Sequence, residues 1–378
     1  MKIERLKAHV LHCDVEQPFQ SSFSTFHGRW ACLVEIICDD GTVGWGECLG
    51  PAKPNAALVA AMAPVIIGRD PLDIEPIWSR LYNEFRDQGQ HGITMTAQSG
   101  IDIALWDIAG KHFGMPVHRL AGGAYRTEVP AYATGGFRPV GQDHHAWVTA
   151  EAARYVSEGF KAVKIKIGYD VREDANLIAA VRDAIGSDTV LMVDANHGYD
   201  AIEAIQLGNK VAHLDIDWFE EPVQPELLAA YGQVRARQPI PVAGGETWHG
   251  RKAFTDAIRT GTVDILQPDV CACGGITEMR KIVALAETDG VRMQPHVWGT
   301  AVAIAASLHV LATLPPAPMS HRNRPPWLEF DQTEHAYRLA IATEEIVQQG
   351  GTVQVPDGPG LGIEIDRNVL AEFTADPD

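Results

Sequence analysis

Three carboxylates at equal spacing, Asp194, Glu220 and Glu246, are the first residues of this chain that could do chemistry together. Each follows a short apolar stretch that reads as a buried strand, and an acidic side chain is costly to bury unless a cation or hydrogen bonds compensate it. Carboxylate oxygens suit a hard cation, so we expect Mg²⁺, with Mn²⁺ also possible. Each acid could instead cap the helix that follows it, but the equal spacing favours one shared metal site.

Two lysines, Lys164 and Lys166, stand two positions apart in another apolar stretch. Alternate residues of a strand share a face, so the two ammonium groups are expected to lie close together. Their repulsion should lower the pKa of one or both, and a lysine with a lowered pKa can serve as a general base. A solvated strand face is the alternative interpretation, and the apolar neighbours argue against it.

A carboxylate and an imidazole, Asp269 and His296, close two further predicted strands that follow one another in the chain. A carboxylate bonded to one ring nitrogen fixes the tautomer and raises the basicity of the imidazole, although a lone core histidine is the alternative. A lysine on one side of a metal and this pair on the other fit removal of a proton alpha to a carboxylate, with an enediolate intermediate. Glu329, in the last predicted strand, could hydrogen-bond a substrate carboxylate or pair with Lys164.

The elements that must position these groups follow from the pattern of residues 126–350. Eight short apolar stretches alternate with amphipathic helical patterns, which is typical of a parallel (β/α)8 barrel of the TIM type. The predicted strands are Val129–Thr134, Ala162–Ile167, Thr189–Asp194, Ile216–Glu220, Pro241–Gly245, Val263–Pro268, Arg292–Val297 and Trp327–Phe330. In such a barrel the carboxyl ends of the strands meet at one mouth. A doubly wound sheet would normally carry a glycine-rich phosphate loop after its first strand, which Ala133-Thr-Gly-Gly136 does not form.

The remaining residues predict an α+β capping domain over 1–125 and a tail over 351–378 that returns to it. The expected antiparallel strands are Ile3–Leu11, Trp30–Cys38 and Thr42–Cys48, with a hairpin turn signal at Asp39-Asp-Gly41. Helical patterns follow up to about residue 122. Between the first two strands the segment Gln17–Arg29 is polar and shows no periodicity, so we expect a flexible loop there.

Composition excludes several classes of protein. A chain of 378 residues is expected to form more than one compact unit. The net charge of −18 opposes binding to nucleic acid, and no apolar stretch is long enough to suggest a membrane span. Six scattered cysteines predict a reducing, cytoplasmic environment rather than a disulfide framework.

Taken together, the motifs resemble the enolase superfamily, mandelate racemase subgroup, over the whole length of the chain. The residues that carry the resemblance are Lys164, Lys166, Asp194, Glu220, Glu246, Asp269 and His296, with the helix Ala97–Asp107. A lysine or histidine base beside Mg²⁺ is the known pattern of that superfamily. The resemblance implies that Lys166 is the base and that Asp269 with His296 forms the opposite acid or base. Relatives that lactonise muconate or epimerise dipeptides use a lysine on the sixth strand, which Pro268–Gly275 lacks.

Longer stretches resemble the bacterial galactarolactone cycloisomerases within that superfamily. These stretches are Trp45–Pro51, Arg86–Gln90, Pro241–Gly250, Pro295–Thr300 and Pro356–Gly362. The resemblance implies β-elimination that opens a galactaro-lactone to a keto-deoxy hexarate. The alternatives are a dehydratase of an open-chain sugar acid such as galactarate, glucarate or an aldonate, a racemase or epimerase of a 2-hydroxy acid, and a non-catalytic barrel.

The resemblance also implies a small anionic sugar acid or lactone as the substrate and a homo-oligomer, a dimer or an octamer. Substrate contacts are expected from Asn196, Glu329, Trp298, His27 and Arg29. Two cap segments, Gln17–Arg29 and the residues after Gly46, are expected to set the specificity.

Overall fold

The computed structural model describes residues 1–318, 321 and 324–375, and its amino-terminal unit begins with an antiparallel sheet. The strands of this sheet are β1 (Ile3–Gln20), β2 (Thr25–Cys38) and β3 (Val43–Cys48). They pair in the order β3-β2-β1, so each is hydrogen-bonded to its neighbour in the chain. The three predicted cap strands are therefore confirmed, although the first two are longer than expected.

The expected flexible loop at Gln17–Arg29 is wrong, because most of it belongs to the hairpin of β1 and β2. Phe19 pairs with Phe26, and Gln20 pairs with Thr25, which leaves only residues 21–24 as a turn. The rings of Phe19 and Phe26 stack with centroids 5.1 Å apart. The residues show no alternating pattern here, and these strand ends are held by main-chain pairing with each other and with β5 of the second unit.

Four helices complete the first unit: α1 (Ala52–Ile66), α2 (Ile74–Phe85), α3 (Ile93–Phe113) and α4 (Val117–Leu120). Helix α3 is buried along most of its length between the cap sheet and the barrel. It approaches β3 so closely that a Cβ on Gly46 would lie 1.9 Å from the carbonyl oxygen of Gly100. Glycine is required at that crossing. At Gly114 the helix ends with φ of 65°, a left-handed conformation that glycine adopts readily.

The second unit is built on parallel strands. In chain order the strands are β4 (Glu128–Thr134), β5 (Arg138–Pro139), β6 (Ala162–Lys166), β7 (Val190–Asp194), β8 (Ile216–Glu220), β9 (Val242–Gly244), β10 (Ile265–Leu266), β11 (Arg292–Met293) and β12 (Leu328–Asp331). Strands β4 and β6 to β11 pair in sequence order, and β12 pairs with β4. Between β11 and β12, Trp327 N donates to Gln294 Oε1 over 2.8 Å. The predicted eight-stranded barrel is confirmed, while β5 extends the cap hairpin through Phe19 and Gln20.

Strand boundaries differ from the prediction mainly at β10, β11 and β12. Strands β10 and β11 have two residues each, and beyond them only Asp269 and His296 form an isolated parallel bridge. Strand β12 continues past Glu329 to Asp331, because Phe330 and Asp331 still pair with β4. Local apolar patterns do not determine where a ladder stops, since that depends on the neighbouring strand.

Helices surround the barrel and place their apolar faces against the strands. They are α5 (His144–Ser157), α6 (Val171–Ile185), α7 (Ala201–Val211), α8 (Leu228–Arg237), α9 (Gly250–Arg259), α10 (Gly275–Thr288) and α11 (Ala301–Thr313). The side chain of Asp170 caps α6, and Asp200 with Glu203 forms a capping box on α7. Among the described residues, no helix combines the length and apolarity needed to cross a membrane.

The interior of the barrel contains a separate apolar layer. Its buried members are Tyr132, Ala162, Met192, Trp218, Ala243 and Ile265. These residues come from β4 and from β6 to β10, so each strand contributes one inward side chain. This packed layer lies within the barrel, separate from the polar groups at the strand ends.

The tail contacts both units. Strands β13 (Gln348–Gln349) and β14 (Thr352–Gln354) form a hairpin, and β14 pairs antiparallel with β4. Further on, Leu361 N donates to Asp107 Oδ1 of α3 over 2.8 Å. The last helix, α12 (Arg367–Phe373), joins the cap through Arg367 and Glu35.

Candidate active site

The three spaced carboxylates meet at the barrel mouth. Asp194 and Glu220 are the last residues of β7 and β8, and Glu246 lies two residues beyond β9. One oxygen from each lies within 4.8 Å of the other two. Asp194 and Glu220 are fully buried, and Oε2 of Glu246 has no hydrogen-bond partner in the described part of the chain. Three converging oxygen donors, one of them unpartnered, fit a hard divalent cation.

Neighbouring donors hold these carboxylates in place. Asn196 N donates to Asp194 Oδ1 over 2.8 Å. Glu220 Oε2 accepts from Trp218 Nε1 over 2.8 Å and from Gln267 Nε2 over 2.6 Å. Sequence reasoning named Asn196 but missed Trp218 and Gln267. Trp218 could have been found, because it stands two residues before Glu220 and therefore shares its face of β8.

The two lysines lie among the carboxylates. Lys166 Nζ hydrogen-bonds Asp194 Oδ2, and Lys164 Nζ hydrogen-bonds Glu220 Oε1. Burial lowers the pKa of Lys166, but Asp194, Glu246 and Glu220 together outweigh it, so that pKa is raised above its usual value. Burial also lowers the pKa of Lys164, but the surrounding acidic groups, Glu220 and Glu329 foremost, raise it. The predicted lowering is therefore wrong, because the sequence shows the second lysine but not the carboxylates in contact.

The predicted pair of Asp269 and His296 is formed. His296 Nδ1 lies 2.7 Å from Asp269 Oδ2, and His296 Nε2 lies 3.4 Å from Glu246 Oε2. Burial lowers the pKa of His296, but Glu246, Glu329 and Asp269 raise it to about 10. These carboxylates favour the charged imidazolium, whose Nε2 faces the carboxylate triad without a hydrogen bond to Glu246 Oε2.

Glu329 forms an ion pair with Lys164, one of the two roles that the sequence left open. The distance from Glu329 Oε1 to Lys164 Nζ is 2.8 Å, and the same oxygen accepts from Thr134 Oγ1 over 2.7 Å. Its other oxygen accepts from Val297 N over 3.1 Å. Burial raises the pKa of Glu329, but Lys164 and then His296 lower it to about 2. Glu329 is therefore ionised and fixed beside the site.

Three of the expected substrate contacts, Trp298, Arg29 and His27, differ in their surroundings. Trp298, two residues after His296, is half-buried beside the site. Arg29 lies behind it, with the guanidinium carbon 4.2 Å from the centroid of the indole ring, and is only 4% exposed. His27 is exposed, whereas Phe26 next to it lies 6.2 Å from Trp298, centroid to centroid.

Two connections between the units were missed by sequence reasoning. In the hairpin turn, Ser22 Oγ donates to the carbonyl oxygen of Asn196 over 2.8 Å. The buried Glu47 of β3 accepts from Thr300 N over 3.0 Å and from Ala303 N over 3.0 Å. Glu47 thereby caps α11, which begins just after His296, and burial raises its pKa to about 7. No local pattern could reveal these contacts, because each joins residues far apart in the chain.

Glu221 lies directly after the triad member Glu220, where β8 ends. Its φ is 43°, in the left-handed region, and its Oε2 lies 3.2 Å from His197 Nε2. Asn196 and His197 also have positive φ values. Strained backbone of this kind clusters at functional sites, and here it marks the ends of β7 and β8.

The chain matches two family models that together cover most of its length. Residues 5–122 match the model described as "Mandelate racemase / muconate lactonizing enzyme, N-terminal domain". Residues 147–369 match the model described as "Enolase C-terminal domain-like".

Individual proteins are similar over nearly the whole chain. The D-galactarolactone cycloisomerase of Agrobacterium fabrum is 55% identical over 373 residues, covering 99% of both chains. The crystal structure of the 3,6-anhydro-D-galactonate cycloisomerase from Zobellia galactanivorans has a TM-score of 0.91 at 37% identity and covers 100% of both chains. A racemase from Streptomyces coelicolor A3(2), solved with bound magnesium, has a TM-score of 0.88 at 29% identity, covering 99% of this chain and 100% of that one.

Proposed function

Because the chain belongs to the mandelate racemase and muconate lactonizing enzyme family of the enolase superfamily, we propose that it opens a galactaro-lactone by β-elimination. The observation that carries the proposal is the pair of Lys166 and His296, which contact different members of one carboxylate triad. Lys166 bonds Asp194, and His296 lies against Glu246. A base and an acid thus flank one binding position, as proton removal alpha to a carboxylate requires.

The proposed reaction conserves every atom of the substrate. Lys166 removes the proton alpha to the free carboxylate and leaves an enediolate. The ring C–O bond at the beta carbon then breaks, and the ring oxygen leaves as part of a new carboxylate. The resulting enol takes up one proton at carbon, releases its hydroxyl proton and becomes a keto-deoxy hexarate, so the net change is an isomerisation.

His296 is placed to assist the departure of the ring oxygen. Its protonated ring is supported by Asp269 at 2.7 Å, and its Nε2 faces the triad. A carboxylate is a much better leaving group than hydroxide. Lactone opening therefore needs less assistance from a general acid than dehydration of an open-chain sugar acid does. Lys164 keeps its charge through Glu329, at 2.8 Å, and supplies a fixed positive charge beside the enediolate.

The proposed cofactor is Mg²⁺, with Mn²⁺ as a possible substitute, held by Asp194, Glu220 and Glu246. When bound, such a cation contributes positive charge that stabilises the enediolate. The donor set supports this proposal because it offers only oxygen atoms. Asp194 belongs to both the triad and the contact with Lys166, so a cation that engages Asp194 would free Lys166 to act as a base.

The proposal is tested by following a series of aldaric lactones, aldarates and aldonates by NMR in D₂O with Mg²⁺. A keto-deoxy product from the lactone, and none from the open diacid, is the expected result. A keto-deoxy product from the open-chain acid would instead assign a dehydratase. Deuterium at the alpha carbon without elimination would assign a racemase or epimerase.

We also infer a cytoplasmic location and a homo-oligomer, a dimer or an octamer. The six cysteines are all buried and unpaired, which supports a reducing compartment. The oligomer rests on the family resemblance, and light scattering coupled to size-exclusion chromatography would measure it.

A further inference from the structure

A cluster of four aromatic rings lies beside the proposed base. Its members are Phe19, Phe26, Phe137 and Trp298. Phe137 is 4.8 Å from Phe19 and 5.4 Å from Trp298, centroid to centroid. Lys166 Nζ lies 5.1 Å from the centroid of Phe137. The cluster therefore borders the atom that would remove the alpha proton.

Two separate parts of the fold build this cluster. Phe19 and Phe26 come from the cap hairpin, whereas Phe137 follows β4 and Trp298 follows His296. Phe19 and Phe137 are buried, but Phe26 and Trp298 are only half-buried. Phe26 and Trp298 are thus the members of the cluster that keep surface for a ligand.

Arg29, the cation that stacks on Trp298 of this cluster, is already engaged. Its Nη2 lies 3.1 Å from Asp331 Oδ2, its Nη1 hydrogen-bonds Thr333, and its flat face is covered by Trp298. Asp331 also pairs with Arg338, at 3.2 Å. With 4% of its surface exposed, Arg29 is not free to pair with a ligand carboxylate.

This arrangement distinguishes a cyclic substrate from an open one. An open-chain hexarate carries a second ionised carboxylate, which would be desolvated against ring faces that carry negative partial charge. A lactone hides that carboxyl group as a neutral ester and presents C–H groups, which pack well on aromatic rings. The aromatic cluster therefore favours the lactone in two ways. Its ring faces pack against C–H groups, and Arg29 beside it is not free to pair with a second carboxylate.

We propose that Trp298 and Phe26 are specificity-determining residues that select a lactone over the corresponding open-chain diacid, with Arg29 withheld behind Trp298. This inference rests on the proposed function and adds the residues that separate cycloisomerase from dehydratase substrates.

The test uses the full chain with Lys166→Ala and saturating Mg²⁺, so that ligands bind without turnover. Calorimetry gives the dissociation constants of a hexaro-lactone and of its open diacid, and their ratio measures selectivity. Trp298→Leu removes an aromatic face and uncovers Arg29, so the preference for the lactone should fall about threefold to tenfold. Phe26→Lys supplies a cation for the second carboxylate and should reduce the preference by about tenfold or more.

Phe113→Leu is the matched control, because Phe113 is also an exposed phenylalanine, 55% exposed at the end of α3, and the selectivity of this variant should not change. Circular dichroism verifies that each variant is folded. If the lactone still binds and the ratio of the two dissociation constants is unchanged in both Trp298→Leu and Phe26→Lys, this inference is wrong while the proposed function stands. Retained Mg²⁺ binding with no affinity for either ligand would overturn the proposed function, and this inference with it.

Discussion

His296 Nδ1 lies 2.7 Å from Asp269 Oδ2, and both side chains are buried at the ends of adjacent strands. This contact determines which ring nitrogen faces the carboxylate triad and, after Glu246 and Glu329, helps to raise the pKa of His296. Asp269→Asn should therefore retain Mg²⁺ binding but lower kcat for lactone opening by about 10²–10⁴. Steady-state kinetics beside a Mg²⁺ titration measure both quantities, and an unchanged kcat would remove His296 from the chemistry.

Lys166 is expected to be essential for proton removal. Lys166→Ala should abolish turnover and solvent deuterium exchange at the alpha carbon, because no other described lysine than Lys164 lies among the triad carboxylates, and Lys164 is held by Glu220 and Glu329. Proton NMR in D₂O measures the exchange. Mg²⁺ affinity should persist in the variant, and unchanged deuterium exchange would assign the base to another group.

Glu220 is expected to contribute directly to metal binding. Glu220→Gln should weaken Mg²⁺ binding by at least tenfold, since a charged oxygen donor is replaced by a neutral amide at the centre of the triad. Calorimetric titration of the metal, without substrate, measures this. Glu287→Gln, an exposed acid of α10, is the matched control. Equal affinity in both variants would place the metal elsewhere.

The tail is expected to stabilise the cap in a pH-dependent manner. Burial raises the pKa of Glu35, but hydrogen bonds from His9 and Arg367 lower it to about 2. A carboxyl group whose pKa is depressed on folding stabilises the protein above its unfolded pKa, near 4.5, and loses that contribution as the pH falls towards 2. Arg367→Met should therefore reduce the free energy of unfolding by about 1 kcal/mol at pH 7, because Arg367 is half-exposed. Urea unfolding at pH 7 and pH 3 should show the difference shrinking at the lower pH.

Glu47 is expected to hold the cap on the barrel. Glu47→Ala leaves Thr300 N and Ala303 N without their acceptor, which should cost about 2–3 kcal/mol of unfolding free energy. Glu47→Gln keeps one acceptor oxygen and should cost clearly less. Denaturant unfolding of the metal-free protein measures both. Equal losses would show that charge, rather than hydrogen bonding to α11, is what Glu47 supplies.

Much of the barrel was predictable because its strands are encoded locally. The stretches before Asp194 and Glu220 are buried, apolar and correctly spaced, so their ends could be located without a structure. The hairpin around Phe19 and Phe26 was not predictable in this way. Its order comes from pairing between strands and from Phe137, a residue more than a hundred positions away.

The types of chemical groups present, and the strand ends that carry them, follow from the sequence alone, since a strand and its terminal residue are neighbours in the chain. How these groups pair depends on the tertiary structure. It placed Lys166 on Asp194, joined Lys164 to Glu329, and turned Arg29 towards Asp331 behind Trp298. Charge and specificity at the site depend on distances of a few ångströms between residues remote in sequence, and those distances are set by the closure of the barrel and the docking of the cap.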